Sequence, residues 1–93
     1  MISIVVPVYN EQLLIQNTVN ELLSCIIKWS YEYEIIFVND GSTDKTLEIA
    51  KKLESNNNSL TIVSYSANKG RGYAIRRGLS KAKGKYIVTI DFD

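Results

Sequence analysis

The chain has 93 residues, a formal net charge of +1, 45% hydrophobic and 23% charged residues, which is an ordinary globular composition and at most one domain. So even a charge balance argues against a nucleic-acid binder working through a general basic field. The absence of His excludes His-ligated zinc and Ser-His-Asp hydrolysis.

The first run, "ISIVVPVY" (2–9), is almost continuously apolar, as in a strand covered on both faces. Pro7 interrupts it and is expected to mark its end. From Glu11 to about Trp29, apolar positions Ile15, Val19, Leu22, Leu23, Ile26 and Ile27 recur at helical spacing behind a candidate cap, Asn10. Cys25 lies among these and reads as a small buried apolar residue, with no partner for a disulfide.

"YEIIFVN" (33–39) is the second strand. The turn "DGSTD" follows, with Ser42 or Thr43 placed to cap a helix through Leu47, Ala50 and Leu53. "SNNNS" is a polar loop and "LTIVSYS" (60–66) a third strand. After the loop "ANKGRG", Ala74, Gly78 and Ala82 mark a small-residue stripe on a third helix that Gly84 is expected to end; a last strand runs to Ile90.

Alternation of this kind predicts an α/β fold: right-handed crossovers, a parallel sheet of about four strands in the order 3-2-1-4, and helices on both faces. That order puts a topological switch between strands one and four, where ligands bind beyond the carboxyl ends of the strands. The segments Pro7–Glu11, Asn39–Asp44, Asn68–Gly72 and Asp91–Asp93 all fall on that rim.

Each rim segment has two readings. Asp91 and Asp93 are two apart, so extended backbone leans both carboxylates to one side. They are either solvated acids at a strand end or two hard oxygen donors suited to Mg²⁺ or Mn²⁺ beside a diphosphate. Asp40 either accepts from the N–H edge of a uracil or guanine base or serves an Asx turn; Asp44 is a first-turn helix acid. Tyr9 stacks on a base or packs at the edge, and Glu11 reaches a ribose hydroxyl or is a helix-start acid. "NKGRG" frees the backbone for a phosphate at Gly70 and Gly72 or is a plain loop; it completes neither G-x-G-x-x-G nor a P-loop. Lys69, Arg71, Arg76, Arg77, Lys81, Lys83 and Lys85 form a basic cluster that reads as a solvated helix face with one or two members able to meet a phosphate.

Taken together and in this order, "VVPVYNE", "FVNDGSTD", "NKGRGYAIRRGL" and "KGKYIVTIDFD" resemble the inverting family 2 glycosyltransferases of the GT-A fold, nearest to the polyprenyl-phosphate and dolichol-phosphate mannosyl- and glucosyltransferases. The resemblance implies that residues 1–93 are the N-terminal, Rossmann-like part of such a domain, cut at the D-x-D motif. It implies a nucleotide-diphospho-sugar donor (UDP- or GDP-linked), Mg²⁺ or Mn²⁺, and a polyprenyl phosphate among the candidate acceptors. Pro7, Tyr9 and Glu11 would line the nucleoside pocket, and Asp40 would hold the base. Asn68, Lys69 and Gly70 would border the nucleotide, with Arg71 a further candidate. Asp91 would sit near ribose and metal and Asp93 on the metal. Phe92 departs from the small residue common between the acids. The acceptor half and its carboxylate base lie outside these residues, so the 93-residue chain is expected to bind donor without transferring sugar.

Two other classes compete: a sugar-nucleotide-forming nucleotidyltransferase, whose Gly-rich loop after the first strand is here replaced by "PVYNE", and a non-catalytic nucleotide-binding or assembly module. The open edge of the last strand predicts homo-oligomerisation through it. Met1 leads into strand-like residues with no basic leader, and no apolar run is long enough to span a bilayer. A cytoplasmic location is therefore expected for the chain, with membrane association reserved for a longer parent.

Overall fold

A computed structural model describes residues 1–28 and 31–91. In chain order these form β1 (Ile2–Val8), α1 (Ile15–Ile26), β2 (Tyr33–Asp40), α2 (Thr46–Asn56), β3 (Leu60–Tyr65), α3 (Arg71–Leu79) and β4 (Tyr86–Thr89). The sheet is parallel throughout and ordered β3-β2-β1-β4, as the alternation predicts. Register places Val5 opposite both Ile36 and Thr89, and Asn39 opposite Ser64.

Side-chain alternation divides the core into two layers. Ile4, Val6 and Val8 of β1 and Ile35 and Phe37 of β2 face one way, against Ile15, Val19 and Ile26 of α1 and Ala50 and Leu53 of α2. Val5, Ile36, Val38 and Val63 face the other way, against Ala74 of α3. Helices therefore cover both faces. The small-residue stripe on α3 has a steric purpose: a Cβ on Gly78 would come within 2.4 Å of Val5 Cγ1. The layering is uneven. β1 and β2 are buried on both faces, whereas β4 pairs only with β1 and all four of its residues are exposed.

Several sequence expectations are corrected. Pro7 lies inside β1, paired with Val38. It is tolerated because Val5 accepts from Ile90 N–H on the β4 side while Ile2 donates toward β2. Backbone direction alternates, so the N–H that Pro7 lacks faces the β4 side, past the last paired residue of that strand. Asn10 does not cap α1. It sits at φ 51°, and the helix begins at Ile15 after a turn closed by the Glu11 carbonyl. Its predicted end at Trp29 falls outside the described residues.

Cys25 is exposed. Its apolar neighbours misled: at about 100° per residue it is rotated off the stripe formed by Ile15, Val19 and Ile26. Ile27, the residue after α1, is exposed too. Neither Ser42 nor Thr43 caps α2; Asp44 Oδ1 accepts the Thr46 N–H at 2.9 Å, and Asp44 precedes the helix rather than standing in its first turn. α3 ends at Leu79, five residues before Gly84, by i→i+3 bonds from Lys81 to Gly78 and from Ala82 to Leu79. Gly84 serves packing instead: its N–H donates to Ser3 Oγ at 2.8 Å, and a Cβ there would lie 2.6 Å from the same oxygen.

Candidate functional site: a cleft at the β1–β4 switch

The carboxyl ends of β1, β2 and β4 and the start of α3 surround a cleft of about 350 Å³. Its walls come from all four rim segments: Pro7, Val8, Tyr9 and Glu11 from the β1 end, Asp40 from β2, Asn68, Gly70 and Arg71 from the loop into α3, and Asp91 after β4. The switch point of the sheet thus brings together Pro7, Tyr9, Glu11, Asp40, Asn68, Gly70 and Asp91, which span 85 positions of sequence. Lys69 is the exception. Its backbone N–H joins the site, but its ammonium lies 5.4 Å from the Tyr73 ring centroid and does not line the cleft. The second metal candidate, Asp93, and its neighbour Phe92 lie outside the described residues.

Asp40 is the best-anchored member. It is 5% exposed, and its Oδ1 accepts from Tyr65 hydroxyl (2.7 Å) and Lys69 N–H (2.8 Å). Oδ2 accepts from Asn68 Nδ2 and Gly70 N–H, both at 3.0 Å. An ionised carboxylate has about four lone-pair sites, so a base N–H arriving at Asp40 must share an oxygen with donors already in place. Burial, and then the hydrogen bond to Asp40, push the Tyr65 hydroxyl far above its ordinary pKa, so it stays a donor. Behind it the Tyr65 and Tyr73 rings meet edge-to-face at 5.1 Å, with the Arg77 guanidinium 5.3 and 5.8 Å from their centroids.

Gly41 makes this proximity sterically feasible. Its φ is 70°, and a Cβ there would stand 2.3 Å from Asn68 N, so the β2 turn and the loop after β3 touch backbone to backbone.

The β1–α1 loop is braced from the other side. Asn10 N–H donates to Ser42 Oγ (2.9 Å), while Asn10 Oδ1 accepts from Thr43 N–H (2.8 Å). Glu11 N–H donates to the buried Thr46 hydroxyl oxygen (2.8 Å), whose own proton goes to Asp44 Oδ1. Burial raises the Asp44 pKa, but its hydrogen bonds from Thr46 and Gln12 outweigh this and hold it below the ordinary value. Asn10, Ser42 and Thr43 read locally as helix caps. Only the meeting of two loops 32 to 35 residues apart gives them this bracing task.

At the opposite wall, Arg71 Nε donates to Asp91 Oδ1 at 2.7 Å. That hydrogen bond, partly offset by burial and reinforced by the guanidinium charge, lowers the Asp91 pKa, so the acid is ionised at neutral pH. Both side chains are more than a third exposed, so solvent screens the pair and makes it easy to separate. Among the described residues there is no group of three or more His, Cys, Asp or Glu able to hold a metal. Asp91, the exposed carboxylate at this wall, is a hard oxygen donor. Mg²⁺ and Mn²⁺ are commonly held by one or two carboxylates together with substrate phosphates, so the residues present fit such an ion.

Comparison with known proteins agrees with this geometry. The family model described as "Glycosyl transferase family 2" matches residues 3–93. The chain belongs to that family. It is 42% identical over 91 residues to the uncharacterized glycosyltransferase YkcC of Bacillus subtilis, covering 98% of this chain and 28% of that protein. It is 34% identical over 93 residues to the dodecaprenyl-phosphate galacturonate synthase of Rhizobium johnstonii, covering 99% and 28%.

Among solved structures, the mannosyltransferase PcManGT of Pyrobaculum calidifontis in complex with GDP-Man and Mn²⁺ superposes with a TM-score of 0.82 at 26% identity, over 97% of this chain and 26% of that one. S. aureus TarS 1-349 in complex with UDP gives 0.80 at 29% identity, over 97% and 26%. The family 2 glycosyltransferase resemblance and the GT-A, Rossmann-like architecture expected from sequence are thereby shown. The chain spans about three-tenths of the length of these curated relatives. Among the described residues no helix is long and apolar enough to cross a membrane.

Proposed function

We propose that the cleft binds a nucleotide-diphospho-sugar, UDP- or GDP-linked, as the donor site of an inverting transferase. The observation that carries this reading is the convergence of four polar rim segments on one cleft at the switch point of a parallel sheet. Pro7 and Tyr9 offer an apolar edge and a half-exposed ring for the base, and Glu11 a carboxylate for a ribose hydroxyl. Asp40 bounds the base end and fixes the Asn68–Gly70 backbone that borders the nucleotide. Asp91, together with Asp93, would hold Mg²⁺ or Mn²⁺, which when bound supplies charge neutralisation and Lewis acidity toward the departing diphosphate.

The acceptor class proposed is a polyprenyl phosphate, supported by relatives such as the dodecaprenyl-phosphate galacturonate synthase. The base that deprotonates an acceptor is assigned to no residue among these 93. They are therefore proposed to form the donor-binding part of the domain, binding donor without turnover.

Calorimetric titration with UDP and GDP, with and without Mn²⁺, tests the reading. Metal-dependent binding of either diphosphate is expected, and no binding of either under any condition would reduce the chain to a scaffold. Incubation with nucleotide-sugar and lipid phosphate is expected to yield no glycolipid. Self-association through β4 is proposed as well, supported by the exposure of Tyr86 (63%), Ile87 (45%) and Val88 (41%) on an edge strand. Light scattering at micromolar concentrations is expected to show a mass above the monomer; a monomer throughout would refute it.

A further inference from the structure

Arg71 and Asp91 form an ion pair, and both of its members line the cleft. Arg71 is the first residue of α3, and its backbone is held in place by the preceding Gly70, whose N–H is bonded to Asp40. The guanidinium reaches from there to Asp91, 20 residues away in sequence. Arg71 thus has an anchored backbone and a side chain that is 58% exposed, and the carboxylate it meets in this pair is the described one that the proposed donor chemistry needs most.

The charges make the two needs incompatible with the pair as it stands. A divalent cation at Asp91 faces the positive Arg71 directly, and a diphosphate near Arg71 faces the negative Asp91. Either ligand alone meets a like charge at contact distance. Both together remove the conflict, because the cation takes Asp91 and the diphosphate takes the released guanidinium, whose planar donors match phosphate oxygens.

We infer that Arg71 is a diphosphate-binding residue held in reserve by Asp91, and that exchange of this ion pair makes cation and nucleoside-diphosphate binding mutually dependent. This rests on the proposed donor site and specifies how its two ligands are coupled. The coupling is reciprocal by linkage: whatever factor Mn²⁺ adds to UDP affinity, UDP adds to Mn²⁺ affinity.

The test is a set of binding titrations on the whole chain: Mn²⁺ alone by electron paramagnetic resonance, then UDP, GDP and the bare nucleosides by calorimetry, with and without Mn²⁺. In Arg71→Met, Mn²⁺ alone should bind about fivefold more tightly while UDP or GDP with Mn²⁺ binds about tenfold more weakly. In Asp91→Asn, diphosphate binding without metal should tighten and its dependence on Mn²⁺ should shrink. Arg71→Lys should recover part of the diphosphate affinity, and uridine or guanosine binding should be the same in all variants. A purely structural Arg71 would move metal and diphosphate binding in the same direction, or move neither. Either outcome overturns the inference while leaving the donor site standing if UDP or GDP still binds the parent chain. Failure of the parent chain to bind any diphosphate overturns both.

Discussion

At one wall of the cleft Asp40 ends a strand paired on both sides, is 5% exposed and accepts four hydrogen bonds; at the other Asp91 follows an edge strand, and its carboxylate meets Arg71 in solvent. The same side chain therefore serves opposite ends. Four donors around a buried carboxylate make Asp40 part of the framework, where its loss costs stability and shape. A screened ion pair on an edge makes Asp91 replaceable in the fold and available to a ligand.

The largest effect is expected at Asp40. Asp40→Ala leaves the Lys69 and Gly70 N–H groups and the Tyr65 hydroxyl without their acceptor, at about 1–3 kcal/mol for each one that water does not reach. Urea unfolding followed by circular dichroism should show a loss on the order of 3 kcal/mol or more, with nucleotide affinity lost alongside it. Gly41→Ala should follow. A left-handed backbone costs a residue with Cβ about 1–2 kcal/mol, and the contact 2.3 Å from Asn68 N adds to this by forcing the loop after β3 away. An unchanged midpoint would mean that the two loops do not touch.

Asp91→Asn should sharpen the contrast. The urea midpoint should stay where it is, while the Mn²⁺ dependence of diphosphate binding drops. A shifted midpoint would make Asp91 a framework residue like Asp40.

Asp44 gives a smaller, pH-dependent effect. Its folded pKa lies below the ordinary 3.8, so its contribution is fully present above that value and is lost as pH falls through the lowered one. Asp44→Asn should therefore cost stability at pH 6 and less at pH 3, narrowing the gap between the two chains. The smallest effect is expected at Cys25. It should react with a thiol reagent in the folded chain, and Cys25→Ala should change stability by no more than about 0.5 kcal/mol.

Hydrophobic pattern made most of this fold legible. The continuous run of β1 and the 33–39 run of β2 announce strands covered on both faces, and strand–helix alternation leaves few parallel topologies besides 3-2-1-4. The candidate site was legible as four rim segments because topological switch points depend only on strand order. What local pattern misjudged was direction and partnership. Cys25 sits among Leu and Ile in sequence, yet its position on the helical circle turns it outward. Asn10, Ser42, Thr43 and Gly84 each carry a residue type with a common local use, cap or helix stop, and each is used across the fold instead.

Side-chain period and chain connectivity are local properties, so the kinds of element, their order and the edge of the sheet at which polar chemistry collects can be read directly from the residues. Tertiary structure alone decided which of those polar groups are spent on the framework and which remain for a ligand. Asp40 and Asp91 look alike in a string of letters. Distance to donors 25 to 30 residues away, and the depth of the strand that carries each, set them apart.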